Sequence, residues 1–182
     1  IHLGGYAVEG PWEPILQANI IGCYNLFEAA RRKGVKRIVF ASSNHAVGFY
    51  PRTTHVGNDV QPRPDGRYGV SKVFGEAIGS LYSDKHGMRV TCLRIGNFGD
   101  VPLDKRRLSI WLHPDDLTQL VVLGLEHPVR ADLIYGVSNN ARSWWLNTGQ
   151  PVPYRPAHSA DDYTLDANAV QAAAPARRLQ GG

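Results

Sequence analysis

Lys36-Arg37-Ile38-Val39-Phe40-Ala41-Ser42-Ser43 is a short run of apolar, β-branched and aromatic residues that ends on two hydroxyls. Apolarity sustained over so few residues reads as a strand buried on both faces, the pattern of a parallel sheet. In an open α/β sheet the ligand crevice lies at the carboxyl ends of the strands, so Ser42 and Ser43 stand where a site forms.

The flanking segments fit the same architecture. Upstream, Leu16, Ile20, Tyr24 and Phe27 recur at helical spacing between Ile15 and Ala30, and Lys33-Gly34 supplies a stop. Downstream, a loop from Ser42 to Arg67 is rich in Pro, Gly, Asn and Arg, and loops of that length inside a domain are usually functional or disordered. A helix follows over Tyr68–Lys85, with Val70, Val73, Phe74, Ala77, Ile78 and Leu81 as its packing residues and His86-Gly87 as its end. Met88–Ile95 reads as a second buried strand running into Gly96-Asn97-Phe98-Gly99. A third helix opens at His113-Pro114-Asp115-Asp116, where proline and carboxylates suit a helix N-terminus. Ala131–Val137 reads as the last strand. Strands alternating with helices predict an α/β fold, a Rossmann-like doubly wound parallel sheet covered on both faces. Residues 1–157 form the domain, and 158–182 read as a tail, partly helical or disordered.

The helix opening at Tyr68 carries the chemistry. In Tyr68-Gly69-Val70-Ser71-Lys72 the phenol and the ammonium sit four residues apart on one face, with Cβ atoms roughly 5–6 Å from each other. Tyrosine ionises near pH 10, and a fixed neighbouring cation favours the phenolate, bringing the group within reach of acid/base work. Ser43 is the third member: its hydroxyl holds a reacting oxygen while Tyr68 exchanges a proton with it, as hydride transfer at an alcohol or carbonyl carbon requires.

Composition narrows the classes. At 182 residues, 43% hydrophobic and 20% charged, the chain suffices for one sizeable core. A formal charge of +4, with basic residues scattered, argues against nucleic-acid binding. No apolar run reaches the roughly 20 residues that cross a bilayer, so a soluble cytoplasmic protein without membrane partners is expected. Cys23 and Cys92 lack zinc-ligand spacing, and no metal site is expected. Ile1-His2-Leu3-Gly4-Gly5 opens the chain as a strand end entering a glycine turn, and reads as the start of a fragment.

These stretches resemble the extended short-chain dehydrogenases/reductases, the NAD-dependent epimerase/dehydratase family, and within it the bacterial uronate dehydrogenases, which oxidise galacturonate and glucuronate to aldarolactones. The likeness rests on His2-Leu3-Gly4-Gly5, Leu16-Gln17-Ala18-Asn19-Ile20-Ile21-Gly22, Phe40-Ala41-Ser42-Ser43-Asn44-His45, Tyr50-Pro51-Arg52-Thr53-Thr54, Tyr68–Lys72 and Ser143-Trp144-Trp145. It implies that Ser43 orients the sugar C1 hydroxyl, that Tyr68 is the base, and that Lys72 lowers the tyrosine pKa and holds the nicotinamide ribose of NAD. It further implies substrate contacts from Asn44, His45, Asn97 and Arg106, the last as a bidentate partner for the uronate carboxylate, with the adjacent Arg107 left open. Gly4, Gly5, Asn19 and Ile95 would lie along the cofactor, while Trp144 and Trp145 pack.

Two positions depart from the family. Ala7 and Asn97 stand where serine is common; asparagine can replace that hydrogen bond and alanine cannot, so substrate preference can differ. In addition, no Gly-x-Gly-x-x-Gly or Gly-x-x-Gly-x-x-Gly occurs in the sequence. With a βαβ unit taking about 30 residues, the N-terminal βαβ units that grip the pyrophosphate are expected to be missing, with weak NAD binding and exposed faces on the first helix and strand as consequences. The alternatives are a sugar-nucleotide epimerase or dehydratase of the same superfamily, and a non-catalytic Rossmann-like protein. The stretch after Ile95 is small for a nucleotide-sugar domain, which favours a small sugar acid. Oligomeric state stays open, a homo-oligomer included.

Overall fold

The computed structural model describes residues 1–128, 133–147, 153–164 and 179–181. Its centre is a parallel three-stranded sheet in the order β1 (Arg37–Ser43), β2 (Arg89–Ile95), β5 (Leu133–Gly136). His2 bridges Phe40 in parallel on the free side of β1, so the opening residues lie along the sheet as the sequence suggests. Of the last strand's expected range, residues 131–132 lie outside the described residues.

Alternation along β1 explains how one short run builds two cores. Ile38 and Phe40 face Cys23 and Phe27 of α2 (Gly22–Arg32) and Ile78 and Tyr82 of α3 (Arg67–His86). Val39 points the other way, into a cluster with Leu93, Leu120 and Ile134 under α5 (Pro114–Glu126). Helices therefore cover both faces, and β1 is buried on both. Gly75 of α3 permits the contact: an added Cβ would lie against the Phe40 ring.

The helix ends follow the sequence signals. Gly87 closes α3 in the left-handed region at φ 66°. His113 caps α5 through its ring, which accepts from the Asp115 amide, with proline in the first turn. The first helix differs from the expected single run: α1 (Trp12–Ile15) passes through a π-helical stretch, Leu16–Ile21, before α2. Ile21, Tyr24 and Leu26 are exposed, so Tyr24 of the expected stripe does not pack inward.

Beyond the carboxyl ends of the strands lies a third layer. The short pair β3 (Asn97–Phe98) and β4 (Trp111–Leu112), separated by α4 (Arg107–Ile110), adjoins a cluster of Val47, Val56, Tyr135, Trp144 and Trp145. Trp145 stacks on Tyr135 with ring centroids 5.4 Å apart, so both tryptophans pack as expected. Of the tail, residues 165–178 and 182 lie outside the described residues. The remainder is held: Ala160 is buried, and Gln180 and Gly181 donate through their amides to Tyr50 and Gly48.

Candidate active site

Parallel pairing places Ser43 opposite Ile95, and Ile95 opposite Gly136, so the carboxyl ends of three strands form one floor. Ser43 leaves the strand and caps a 3-10 turn over Asn44–Val47, its hydroxyl accepting from the His45 amide at 3.2 Å. That turn packs on the start of α3, where Gly69 lets the His45 carbonyl approach within 2.4 Å of where a Cβ would stand. A side chain there would force the turn and the helix apart.

The turn brings Ser43 to Tyr68. The Ser43 hydroxyl acts to pull the phenol's pKa down, while burial pushes it above its ordinary value; burial prevails. Lys72 comes one helical turn later, its Nζ 5.4 Å from the Tyr68 ring centroid. It donates to the Ala41 carbonyl at 2.8 Å, and burial holds its pKa below the lysine value. This corrects one expectation. Lys72 stands beside Tyr68, yet the phenol is shifted up, because low polarity around a buried phenol disfavours its anion more than the available hydrogen bond favours it.

Asn44 is buried and its Nδ2 has no partner, although its Oδ1 receives the Ser43 hydroxyl at 3.4 Å. A buried donor without an acceptor is costly and marks a place for a ligand oxygen. The His45 ring meets Tyr68 edge to face at 5.6 Å, and its Nδ1 lies 3.0 Å from both Asp65 oxygens. Asp65 was not legible as a site residue: it sits twenty positions away in the loop, in a Pro-Asp-Gly sequence that reads as a turn. Glu9 was also missed; its carboxylate accepts from the Tyr68 amide at 2.8 Å and satisfies the N-terminus of α3.

Arg106 and Arg107 separate cleanly. Arg107 pairs with Asp104, its Nε 3.4 Å from the carboxylate. Arg106 turns inward, where burial and the neighbouring Arg52 lower its pKa while the Asp65 and Asp104 charges oppose them. Its Nη2 donates to the Gln180 and Gly181 carbonyls at 2.9 Å each, and its buried Nε has no partner. Gln180 is itself fully buried and donates to Pro51 and Thr54, a contact between distant segments that no local pattern announces. Asn97 is half-buried in β3, and its side chain makes no hydrogen bond among the described residues. Ile95 reaches the floor but packs partly into the cluster under α5.

Toward the opening residues, Gly5 adopts φ 146°, and a Cβ there would come within 2.7 Å of Asn19 Oδ1. Asn19 lies in the π-helical stretch and is buried; its amide bonds both the Tyr6 amide and carbonyl, and its Nδ2 also reaches Ser71 at 2.9 Å. The side chain is thus occupied in joining the glycine turn to the residue before Lys72, which makes it a positioning residue. Gly4 and Lys72 line a narrow, tightly closed cleft with His2, Asn19, Cys23, Phe40 and Ser71.

The chain is similar to known proteins over most of its length. The profile of the NAD dependent epimerase/dehydratase family matches residues 5–99. The chain is 50% identical to the uronate dehydrogenase of Agrobacterium fabrum over 149 residues, covering 81% of this chain and 56% of that protein. It is 42% identical to the uronate dehydrogenase of Pseudomonas syringae pv. tomato, covering all of this chain and 68% of that protein. Among solved structures, glucuronic acid dehydrogenase from Chromohalobacter salexigens superposes with a TM-score of 0.89 at 42% identity, over 100% of this chain and 70% of that one. A mutant uronate dehydrogenase from Agrobacterium tumefaciens complexed with NAD gives 0.88 at 42% identity, over 100% of this chain and 71% of that one. The chain thus spans from 56% to 71% of the length of these relatives. By these matches the chain belongs to the NAD dependent epimerase/dehydratase family.

Proposed function

We propose that this chain carries the reacting half of an NAD-dependent dehydrogenase that oxidises a hexuronic acid, galacturonate or glucuronate, at C1 to an aldarolactone. The observation that carries the reading is the convergence of Ser43 and Lys72 on Tyr68 at the sheet's carboxyl edge, with Lys72 Nζ 5.4 Å from the phenol ring and the Ser43 hydroxyl acting on its pKa. The similarity to uronate dehydrogenases supplies the substrate class.

Ser43 orients the C1 hydroxyl, and Tyr68, when ionised, accepts its proton as the carbon is oxidised. The unpartnered Nδ2 of Asn44 donates to a sugar oxygen, and His45, its ring fixed by Asp65, borders the same space. Arg106 is a half-buried cation available to the carboxylate, its buried, unpaired Nε the open donor. Asn97 offers a further amide at the rim.

The donor set fits the nicotinamide-ribose end of NAD. Lys72 spends one of its three N–H bonds on Ala41, leaving two for ribose hydroxyls. Gly4 and Gly5 leave bare backbone for close approach, and Ile95 gives an apolar edge. When bound, NAD supplies the acceptor for the electron pair lost at C1.

The test is nicotinamide reduction with NAD and a panel of galacturonate, glucuronate and UDP-sugars, on this chain and on the chain extended to the relatives' length. Reduction with free uronates is expected. Reduction confined to UDP-sugars, or none in the extended chain, overturns the proposal.

A further inference from the structure

The one cluster of metal-ligating side chains among the described residues uses none of the candidate site's residues and lies where the start of α5 meets the described start of the tail. His113, Asp115 and His158 each present a ligand atom there, all within 4.8 Å of one another. Their spacing in sequence hides this, because His158 follows Asp115 by 43 positions.

Two of the three separations already suit a metal ion. His158 Nε2 lies 3.2 Å from Asp115 Oδ2, and His113 Nδ1 lies 3.6 Å from the same oxygen. Ligands held about 2.0–2.2 Å from a tetrahedral zinc ion stand roughly 3.3–3.6 Å from each other. The third pair, between the two imidazoles, lies within 4.8 Å, and because the rings stack at 3.5 Å and 20°, a shared ion requires the half-exposed His158 ring to turn.

The hydrogen bonding points the same way. His113 Nδ1 accepts from the Asp115 amide at 3.2 Å, so its lone pair is turned to the start of α5. It also faces the Asp115 carboxylate oxygen at 3.6 Å, so an ion there would meet two ligand atoms. Binding gives up that helix-cap bond and opposes the positive end of α5; Asp115 and the buried carboxylate behind it offset both.

That second carboxylate also fixes the frame. Asp116 is 1% exposed and accepts from the amides of Ala157 and His158 and from the Ser138 hydroxyl. The Ser138 oxygen in turn accepts from the His113 amide. One buried hub therefore anchors the backbone of both histidines, the supporting role that outer groups play around metal ligands.

We propose that His113, Asp115 and His158 form a binding site for a divalent transition ion of the zinc class, with the fourth position left to water. Two neutral imidazoles and one carboxylate suit zinc, nickel or copper better than magnesium or calcium, which prefer all-oxygen sets. The site does not depend on the dehydrogenase reading.

Titration calorimetry with zinc chloride tests it on the whole chain. One saturable equivalent is expected for the wild type, weakened by more than about tenfold in His158→Gln and in Asp115→Asn. Both substitutions fall on side chains with solvent access, and circular dichroism checks that the fold is kept. Quenching by copper(II) gives a second readout: the Trp111 ring lies 5.5 Å from His113, so wild-type fluorescence falls at copper concentrations that leave His158→Gln bright. No saturable zinc binding, or binding unchanged in both variants, overturns the proposal.

Discussion

Tyr68 is held between two opposed influences. Burial raises its pKa and the Ser43 hydroxyl lowers it, the first prevailing, so the free protein presents a protonated phenol at neutral pH. Tyr68→Phe keeps the ring that meets His45 and removes only the oxygen. Turnover in the extended chain should fall about 10²–10⁴-fold, the usual contribution of a positioned acid or base, while NAD affinity from fluorescence titration stays close to wild type; an active Phe variant would remove Tyr68 as base. Gly69→Ala tests the support beneath. Its new Cβ would press on the His45 carbonyl, backbone that cannot swing aside. A loss of about 1–3 kcal/mol in urea unfolding is expected, with a drop in activity as Asn44 and His45 are displaced. Ser43, Tyr68 and Lys72 were legible because strand end and helix turn are local patterns. Asp65 and Glu9 were not, because each earns its role through one contact to a distant segment, and isolated acidic residues in loops look alike.

At the scale of elements, β2 and α3 are joined by a buried ion pair. Arg94 Nη2 lies 2.9 Å from Glu76 Oε2, with Arg94 Nε donating to the other oxygen at 2.9 Å. Ser42 also donates to Glu76 and Arg94 donates to Tyr135, so the network links β1, α3, β2 and β5 directly below the Ser43 floor. Burial acts to lower the Arg94 pKa, but the Glu76 bonds and charge outweigh it and the net shift is upward. Glu76→Ala leaves a guanidinium buried without its counter-charge. Destabilisation of about 3–5 kcal/mol is expected by chemical denaturation, and the double variant with Arg94→Leu should recover part of it; no recovery would mean that Glu76 acts through packing alone. Periodicity located β1, α3, β2 and α5 within a few residues, since each is a single unbroken run. It missed the π-helical stretch because one inserted residue shifts the register without disturbing composition, and it missed β3 and β4 because two-residue strands leave no period to read.

For the molecule as a whole, no helix among the described residues is long and apolar enough to cross a membrane, and buried neutral acids contribute a fall in stability at alkaline pH that the lowered pKa of Lys72 opposes. Burial pushes the Cys23 thiol up to about 11, with the Lys72 charge acting the other way. The Tyr82 phenol is raised to about 12, by burial first and then by its hydrogen bond to the Glu28 carboxylate. In the unfolded chain a thiol titrates near 8.5 and a phenol near 10. Both folded values are raised, so the stability these groups contribute is complete below the unfolded pKa values and lost as pH climbs through the folded ones. Between those limits the unfolded chain binds fewer protons than the native one, and stability falls with pH. Cys23 enters first: its slope approaches about 1.4 kcal/mol per pH unit between roughly pH 9 and pH 11, and Tyr82 steepens the fall above roughly pH 10. Activity should run against this trend, because the raised phenol of Tyr68 ionises more fully as pH increases. Rate should therefore climb into the alkaline range and stop where the fold gives way. Urea midpoints measured across roughly pH 7–11 beside initial rates would separate the two. Cys23→Ala should lower stability at neutral pH through lost packing, yet flatten the first alkaline fall. A Cys23→Ala profile parallel to wild type from about pH 9 to about pH 11 would show that the thiol is not the group responsible.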